Sequence, residues 1–204
     1  MSEPDFSDKS NLASTIMSGV AVSHLRLVSA PLPRPSPDEA CLDAFQRELD
    51  YVFRTLRRLG TTPGEVEDLA QEVFLALRGA WAEYDAERPL RPYLFGIAFR
   101  IASAHQRKRN REVSFGVIDV GDSGPGPDAA LERKQARVLV LAALERIPLP
   151  RRAVLVMHDI DDVPVTQVAT VLKIPMFTVY SRLRKARREL EAALRRIVKE
   201  TNTR

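Results

Sequence analysis

Residues 164–197 read PVTQVATVLKIPMFTVYSRLRKARRELEAALRRI. Two helical patterns lie in this stretch, separated by a tight break at Lys173, Ile174 and Pro175. The first covers about Val165–Leu172 and follows Pro164. Proline is tolerated in a helix's first turn because the N–H it lacks has no intrahelical partner there. The second runs from about Met176 to Ile197. Its apolar residues Val179, Leu183, Ala186, Leu190, Leu194 and Ile197 recur every three or four positions and form one stripe. Arg182, Arg184, Lys185, Arg187, Arg188, Arg195 and Arg196 lie off it. Two short helices at a steep angle, the second basic, describe a helix-turn-helix.

The packing this requires is available. Ala169 is small where the second helix must cross the first, and Val168, Val171 and Leu172 are expected to face Val179 and Leu183. The N-terminal part of the second helix then turns Thr178, Tyr180, Ser181, Arg182 and Lys185 toward a DNA groove. An amphipathic hairpin with a solvated basic face has the same pattern. The coincidence of break, small residue and charge favours DNA.

Upstream of this stretch, Asp159, Asp161 and Asp162 read as a turn, and RRAVLVMH (residues 151–158) as a short apolar helix. Pro148 and Pro150 break a longer helical pattern over about Ala129–Ile147. DVGDSGPGPD (residues 119–128) has glycine, proline and acid with no apolar period, the composition of a linker. A helix is expected over about Tyr93–Arg109, with Tyr93, Phe95, Ile97, Phe99 and Ile101 supplying bulk and Arg100, His105, Arg107, Lys108, Arg109 and Arg111 supplying charge. Aromatic rings beside a basic helix suit single-stranded DNA, since rings stack on bases while Arg and Lys meet phosphates. A domain this small also needs such residues in its core.

The helix EVEDLAQEVFLALRGAW (residues 65–81) places Val66, Leu69, Val73, Leu77 and Trp81 on one face, and Glu65, Asp68, Gln71, Glu72 and Arg78 on the other. Thr62 stands where it can cap this helix. Before it, a helix from Asp38, read as its N-cap, to Leu59, stopped by Gly60, has Leu42, Phe45, Leu49, Val52, Phe53, Leu56 and Leu59 as its buried stripe. PLPRPSPD (residues 31–38) is proline-rich, and residues 1–38 are expected to be a disordered tail.

The 204 residues carry 31 basic and 27 acidic side chains, a net charge of +4. That excess is modest, so its clustering at residues 107–111 and 182–188 matters more, and it favours an acidic polymer as partner. The one cysteine, Cys41, excludes an internal disulfide, and His24, His105 and His158 have no metal-ligand spacing. No cofactor is expected. No nucleophile–base pair or phosphate-cradling glycine loop points to an enzyme. No apolar run reaches the ~20 residues a membrane span needs. The acidic start MSEPDFSDKS is unlike a signal peptide, so a cytoplasmic protein without membrane insertion is expected. The fold class expected is all-α, with two small helical domains at 39–112 and 129–200 and a flexible linker at 113–128, the second domain ending in the helix-turn-helix.

The pieces in this order resemble an RNA polymerase sigma factor of the extracytoplasmic-function group, over about 40–112 and 129–197. Asp68-Leu69-Ala70-Gln71-Glu72-Val73-Phe74 is similar to the family's polymerase-binding DLxQExF helix. Residues 88–94 (RPLRPYL) and 97–102 (IAFRIA) are similar to the loop and helix that open and read the minus-ten element. Leu144-Glu145-Arg146-Ile147-Pro148, followed by Arg151-Arg152, resembles the entry to the minus-thirty-five domain. Residues 178–187 (TVYSRLRKAR) are similar to that domain's recognition helix.

The resemblance implies core RNA polymerase, duplex and single-stranded promoter DNA, and an anti-sigma factor as partners. It implies polymerase binding by Asp68, Gln71 and Glu72. It implies duplex contact by Thr178, Tyr180, Ser181, Arg182, Arg184, Lys185 and Arg188, with Tyr180, Ser181 and Arg184 on base edges. It implies contact with the melted strand by Arg91, Tyr93, Arg100, His105, Arg107 and Lys108. Three residues depart from the pattern. Lys173 and Phe177 stand where the family usually has glycine, and Tyr180 where lysine is common. A stand-alone helix-turn-helix regulator remains the alternative, predicting duplex binding without polymerase.

Overall fold

The computed structural model describes residues 36–85, 87–112 and 128–202. Most of the tail expected at 1–38 and of the linker expected at 113–128 lies outside these residues. Among the described residues every regular element is helical. Three long helices come first: α1 Pro37–Arg58, α2 Val66–Gly79 and α3 Leu90–Glu112. A short 3-10 turn, Trp81–Glu83, lies between the last two. Four more follow: α4 Asp128–Glu145, α5 Leu149–Leu155, α6 Val165–Leu172 and α7 Met176–Asn202. A π-helical turn, Val156–Ile160, continues α5.

Local chemistry sets the ends of these helices. The N-cap of α1 is Ser36, not Asp38: its hydroxyl accepts from the Glu39 N–H (3.2 Å) and the Glu39 carboxylate accepts from the Ser36 N–H (2.7 Å). This reciprocal box satisfies two orphan donors of the first turn. Asp38 instead turns outward and accepts from Arg78 of α2. Thr62 does not cap α2; the Glu65 carboxylate accepts from both the Thr62 N–H and hydroxyl. Between α6 and α7, Lys173 adopts the left-handed conformation (φ 53°, ψ 48°) that a helix stop of this kind requires. That costs a lysine about 1 kcal/mol relative to glycine. The N–H of Ile174 then reaches the Ala169 carbonyl, which closes the turn.

The stripe expected on α1 is buried at Phe45, Val52, Leu56 and Leu59, but Leu42 is exposed and Cys41 is buried in its place. The α2 stripe (Val66, Leu69, Val73, Leu77) is buried as its spacing requires, with Ala70 beside it. Phe95 of α3 is wholly buried, so this ring is core and not a platform for bases. Phe99 packs against the core from a half-buried position.

One apolar cluster runs from Leu56, Val73 and Phe95 in the first three helices to Leu144, Val156, Val168 and Val179 in the last four. The two helix groups therefore lie against each other. Gly96 of α3 makes room for this: a Cβ built there would stand 3.0 Å from Cγ1 of Val171 on α6. Val171, expected to face the recognition helix, thus borders α3. Polar groups pin the same seam. Asp161, brought in by the π-helical turn, accepts from the Tyr51 hydroxyl and from Arg58 Nη1, each at 2.8 Å. Burial first, and then the Asp161 charge, pushes the Tyr51 hydroxyl far above its usual range.

Arg152 of α5 is buried as well. It donates from Nε and Nη2 to the Ile147 carbonyl and from Nη2 to that of Glu145, satisfying the end of α4. Its Nη1 stands 2.2 Å from where a Cβ on Gly60 would lie, and Gly60 has φ +93°, a backbone open to glycine. Burial brings the Arg152 guanidinium down to about 10.

Candidate nucleic-acid interface

Helix α7 packs on one side only. Val179, Leu183, Ala186, Ala193 and Ile197 are buried against α4, α5 and α6. With 3.6 residues per turn, the ridge opposite that stripe is Phe177, Ser181, Arg184 and Arg188. Ser181, Arg184, Lys185, Arg188 and Tyr180 are exposed; Thr178 and Arg182, nearer the stripe, are half-buried. The Ser181 hydroxyl donates to the Thr178 carbonyl (3.1 Å). Among the described residues no carboxylate pairs with Arg182, Arg184, Lys185 or Arg188, whereas Arg187 is held by two bonds to Asp159 at 2.7 and 2.8 Å. A row of uncompensated cations on one open helix face is a surface for phosphates.

Helix α3 is more crowded. Tyr93, Arg100 and Arg107 recur every seven residues and form one row, with Arg100 and Arg107 exposed. Lys108 is exposed beside them. Arg91 lies apart, donating to Glu48 (2.8 Å), with its guanidinium 5.5 Å from the centre of the Tyr51 ring. His105 turns the other way, toward Glu65 of α2 (3.5 Å), and Arg109 follows it at 3.8 Å. Burial raises the Glu65 carboxyl, but the Thr62 bonds and the His105 and Arg109 charges outweigh it and leave it below its usual value. His105 thus lies away from the row of Tyr93, Arg100 and Arg107.

Tyr93 and Arg100 line a cleft of about 740 Å³ whose other wall is α6, through Thr166, Gln167 and Thr170. At its edge Trp81, Tyr84 and Tyr93 follow one another at 5.3 and 5.2 Å between ring centres. Tyr84 is not among the candidate residues that the sequence pattern picks out. The signal for it was a single aromatic residue in the otherwise polar stretch AEYDAERPLRP (residues 82–92). Trp81, expected in the buried stripe of α2, is half-buried in this ladder.

On α2, Asp68, Gln71 and Glu72 are all exposed on one face. Leu75 extends that face and is 62% exposed. Its position three residues after Glu72 and off the buried stripe was the mark that sequence reading passed over.

Comparison with known proteins matches these two halves in order. Residues 44–112 match the family model of Sigma-70 region 2, and residues 130–190 that of Sigma-70, region 4. The RNA polymerase sigma factor NccH of Alcaligenes xylosoxydans xylosoxydans is 25% identical over 178 residues, covering 78% of this chain and 96% of that protein. CnrH of Cupriavidus metallidurans is 27% identical over 153 residues, covering 70% and 80%. The ECF sigma factor SigW of Bacillus subtilis is 23% identical over 168 residues, covering 77% and 90%. Two solved structures share the fold. CnrH in complex with the cytosolic domain of CnrY has a TM-score of 0.55 at 24% identity, over 76% of this chain and 87% of that one. The sigma factor RpoE of Bartonella quintana with the anti-sigma factor NepR has a TM-score of 0.57 at 22% identity, over 75% and 98%. The chain belongs to the RNA polymerase sigma factors of the sigma-70 family, in the extracytoplasmic-function group.

Proposed function

We propose that the chain binds core RNA polymerase, directs it to a set of promoters and assists their melting, with no covalent chemistry of its own. The observation that carries this is the presence, in one chain and in order, of both sigma-70 regions, each with an exposed face of matching chemistry. Asp68, Gln71, Glu72 and the neighbouring Leu75 dock the polymerase. The face is acidic and polar around one apolar contact, which suits a basic surface with an apolar centre.

The α7 ridge docks duplex DNA, with Lys185 and Arg188 neutralising phosphates and Tyr180, Ser181 and Arg184 at base edges. The Trp81–Tyr84–Tyr93 ladder with Arg100 and Arg107 receives the melted strand, since stacking of an unpaired base is sequence-tolerant and worth about 1–3 kcal/mol. Reaching two separated DNA elements requires the α3–α6 seam to part, so that the α6 wall leaves the cleft. The span at 113–128 gives the chain the reach to do so. RpoE solved with the anti-sigma factor NepR, and CnrH solved with the cytosolic domain of CnrY, support a protein partner of that kind, and kinship to sigma factors supports a cytoplasmic site of action.

The test is run-off transcription by core polymerase with the full chain, on promoters found by mapping transcript starts after overexpression. Addition of the chain is expected to create new starts. Glu72→Lys, at an exposed site, is expected to keep its circular dichroism and lose association with core; unchanged association would overturn the docking assignment.

A further inference from the structure

At the tip of α7, three large apolar side chains face solvent: Met176 is 45% exposed, Phe177 75% and Tyr180 56%. Phe177 is the most exposed large apolar residue among those described. It does not cover a neighbouring helix and it caps nothing. It lies on the ridge line of Ser181, Arg184 and Arg188, one turn before Ser181, directly opposite the buried stripe of Val179, Leu183 and Ala186. An exposed ring stabilises nothing in the free protein, so its placement points to a surface that covers it.

The surroundings select that surface. The ridge continues with Arg184 and Arg188, and Lys185 flanks it; among the described residues none of these has a carboxylate partner. An acidic ligand is therefore favoured, and a helix of this kind presents its N-terminal residues to the floor of the major groove while its later residues meet the backbone. On that floor the exposed apolar group is the 5-methyl of thymine, since the remaining base edges present donors and acceptors. The geometry points to Phe177 as a specificity-determining residue that reads the 5-methyl group of one thymine in the duplex promoter element. This rests on the duplex-binding reading of α7 and goes beyond it by naming the chemical group read and the side chain that reads it.

The experiment uses uracil, which differs from thymine at that methyl alone. Duplexes are first enriched from a random library by the complex of core polymerase with the full chain. Each invariant thymine of the enriched element is then replaced singly by uracil, and binding is measured for the wild-type complex and for Phe177→Ala. One position is expected to lose about fourfold in affinity with uracil, the value of burying one methyl group. Phe177→Ala is expected to bind thymine and uracil equally there, while Arg188→Ala weakens all duplexes alike and retains the uracil effect. A flat uracil scan, an element without an invariant thymine, or a uracil effect that persists in Phe177→Ala overturns the assignment and leaves the apolar tip to a protein partner. A complex that enriches no sequence at all overturns the duplex-binding reading itself, which separates the two failures.

Discussion

The two basic helices α3 and α7 solve the same problem differently. Helix α3 buries Leu94, Phe95, Ile97, Ala98 and Ala102 and touches α1, α2 and α6. Helix α7 buries one stripe and leaves the rest to solvent. A helix hemmed on three sides carries apolar residues all round, and its cations are pushed to a narrow row and to its C-terminal end. A helix whose contacts all lie on one side separates greasy from charged by angle alone. The first arrangement holds side chains rigidly beside a cleft; the second offers a continuous ridge to an incoming groove. The polar pins follow the same division. The pins from α1 to Asp161 sit in the seam between the helix groups, while those on α7, Arg187 with Asp159, Glu189 with Arg151 and Glu200 with Arg146, are open or partly open to water.

The largest effect is therefore expected at the seam. Removing Asp161 leaves the buried Tyr51 hydroxyl and Arg58 without their acceptor, and the Asp161 side chain is only 9% exposed. Loss of one partner of a buried pair costs about 3 kcal/mol. Asp161→Ala is expected to lower urea-unfolding stability by that amount, and Asp161→Asn by less, since an amide oxygen still accepts. Arg187→Ala, which breaks an exposed pair, is expected to cost under about 0.5 kcal/mol. Equal losses for Asp161→Ala and Arg187→Ala would erase the distinction drawn between the seam and the open side of α7.

This division also explains what the sequence made legible. The α7 stripe has a clean period of three and four, and Val179, Leu183 and Ala186 sit where that period puts them. The α6–α7 break and the caps of a helix-turn-helix are local features, so both helices begin and α6 ends where their residues say. Helix α3 defeated that logic. Its apolar residues serve three neighbours at once, so Phe95 and Tyr93 look alike in sequence although one is core and the other lines a cleft. His105 was grouped with Arg100 by charge, yet five residues turn it about 140° around the helix, toward Glu65. Tyr51, Asp161 and Val171 meet partners about a hundred residues or, for Val171, seventy-five residues away in the chain, and no local pattern announces such contacts.

A second test targets the close approach that sets α3 apart. Gly96 stands where a Cβ would lie 3.0 Å from Val171. Gly96→Leu is expected to force α6 outward and to cost about 2 kcal/mol, the scale of overpacking in a filled core. Val171→Ala made alone removes methyl groups from a half-buried site and costs less; combined with Gly96→Leu it is expected to restore much of the loss. The double-mutant coupling measured by urea unfolding is the readout. Independent, additive losses would mean that α6 does not lean on α3 at this point.

The smallest effect concerns acid, and it tests whether the N-terminal end of α1 depends on charge as that of α7 does not. Hydrogen bonds from Arg78, and then its positive charge, hold Asp38 below its usual 3.8. The Ser36 N–H, and then its hydroxyl, hold Glu39 below 4.5. A carboxyl depressed in the folded state binds fewer protons than in the unfolded chain. Its contribution is fully present above the ordinary pKa and is lost as pH falls through the depressed one. The melting temperature is therefore expected to decline as pH drops below about 4.5 and to keep declining past 3.8. Asp38→Asn with Glu39→Gln lowers stability at pH 7 slightly and flattens that acid slope, because neither side chain then titrates. The ridge of α7 is held by no such carboxylate at its N-terminal end, so Arg184→Gln is expected to leave the slope unchanged. An acid slope in Asp38→Asn/Glu39→Gln as steep as that of the wild type would place the acid-sensitive groups elsewhere in the molecule, with the depressed Glu65 beside His105 next to be substituted.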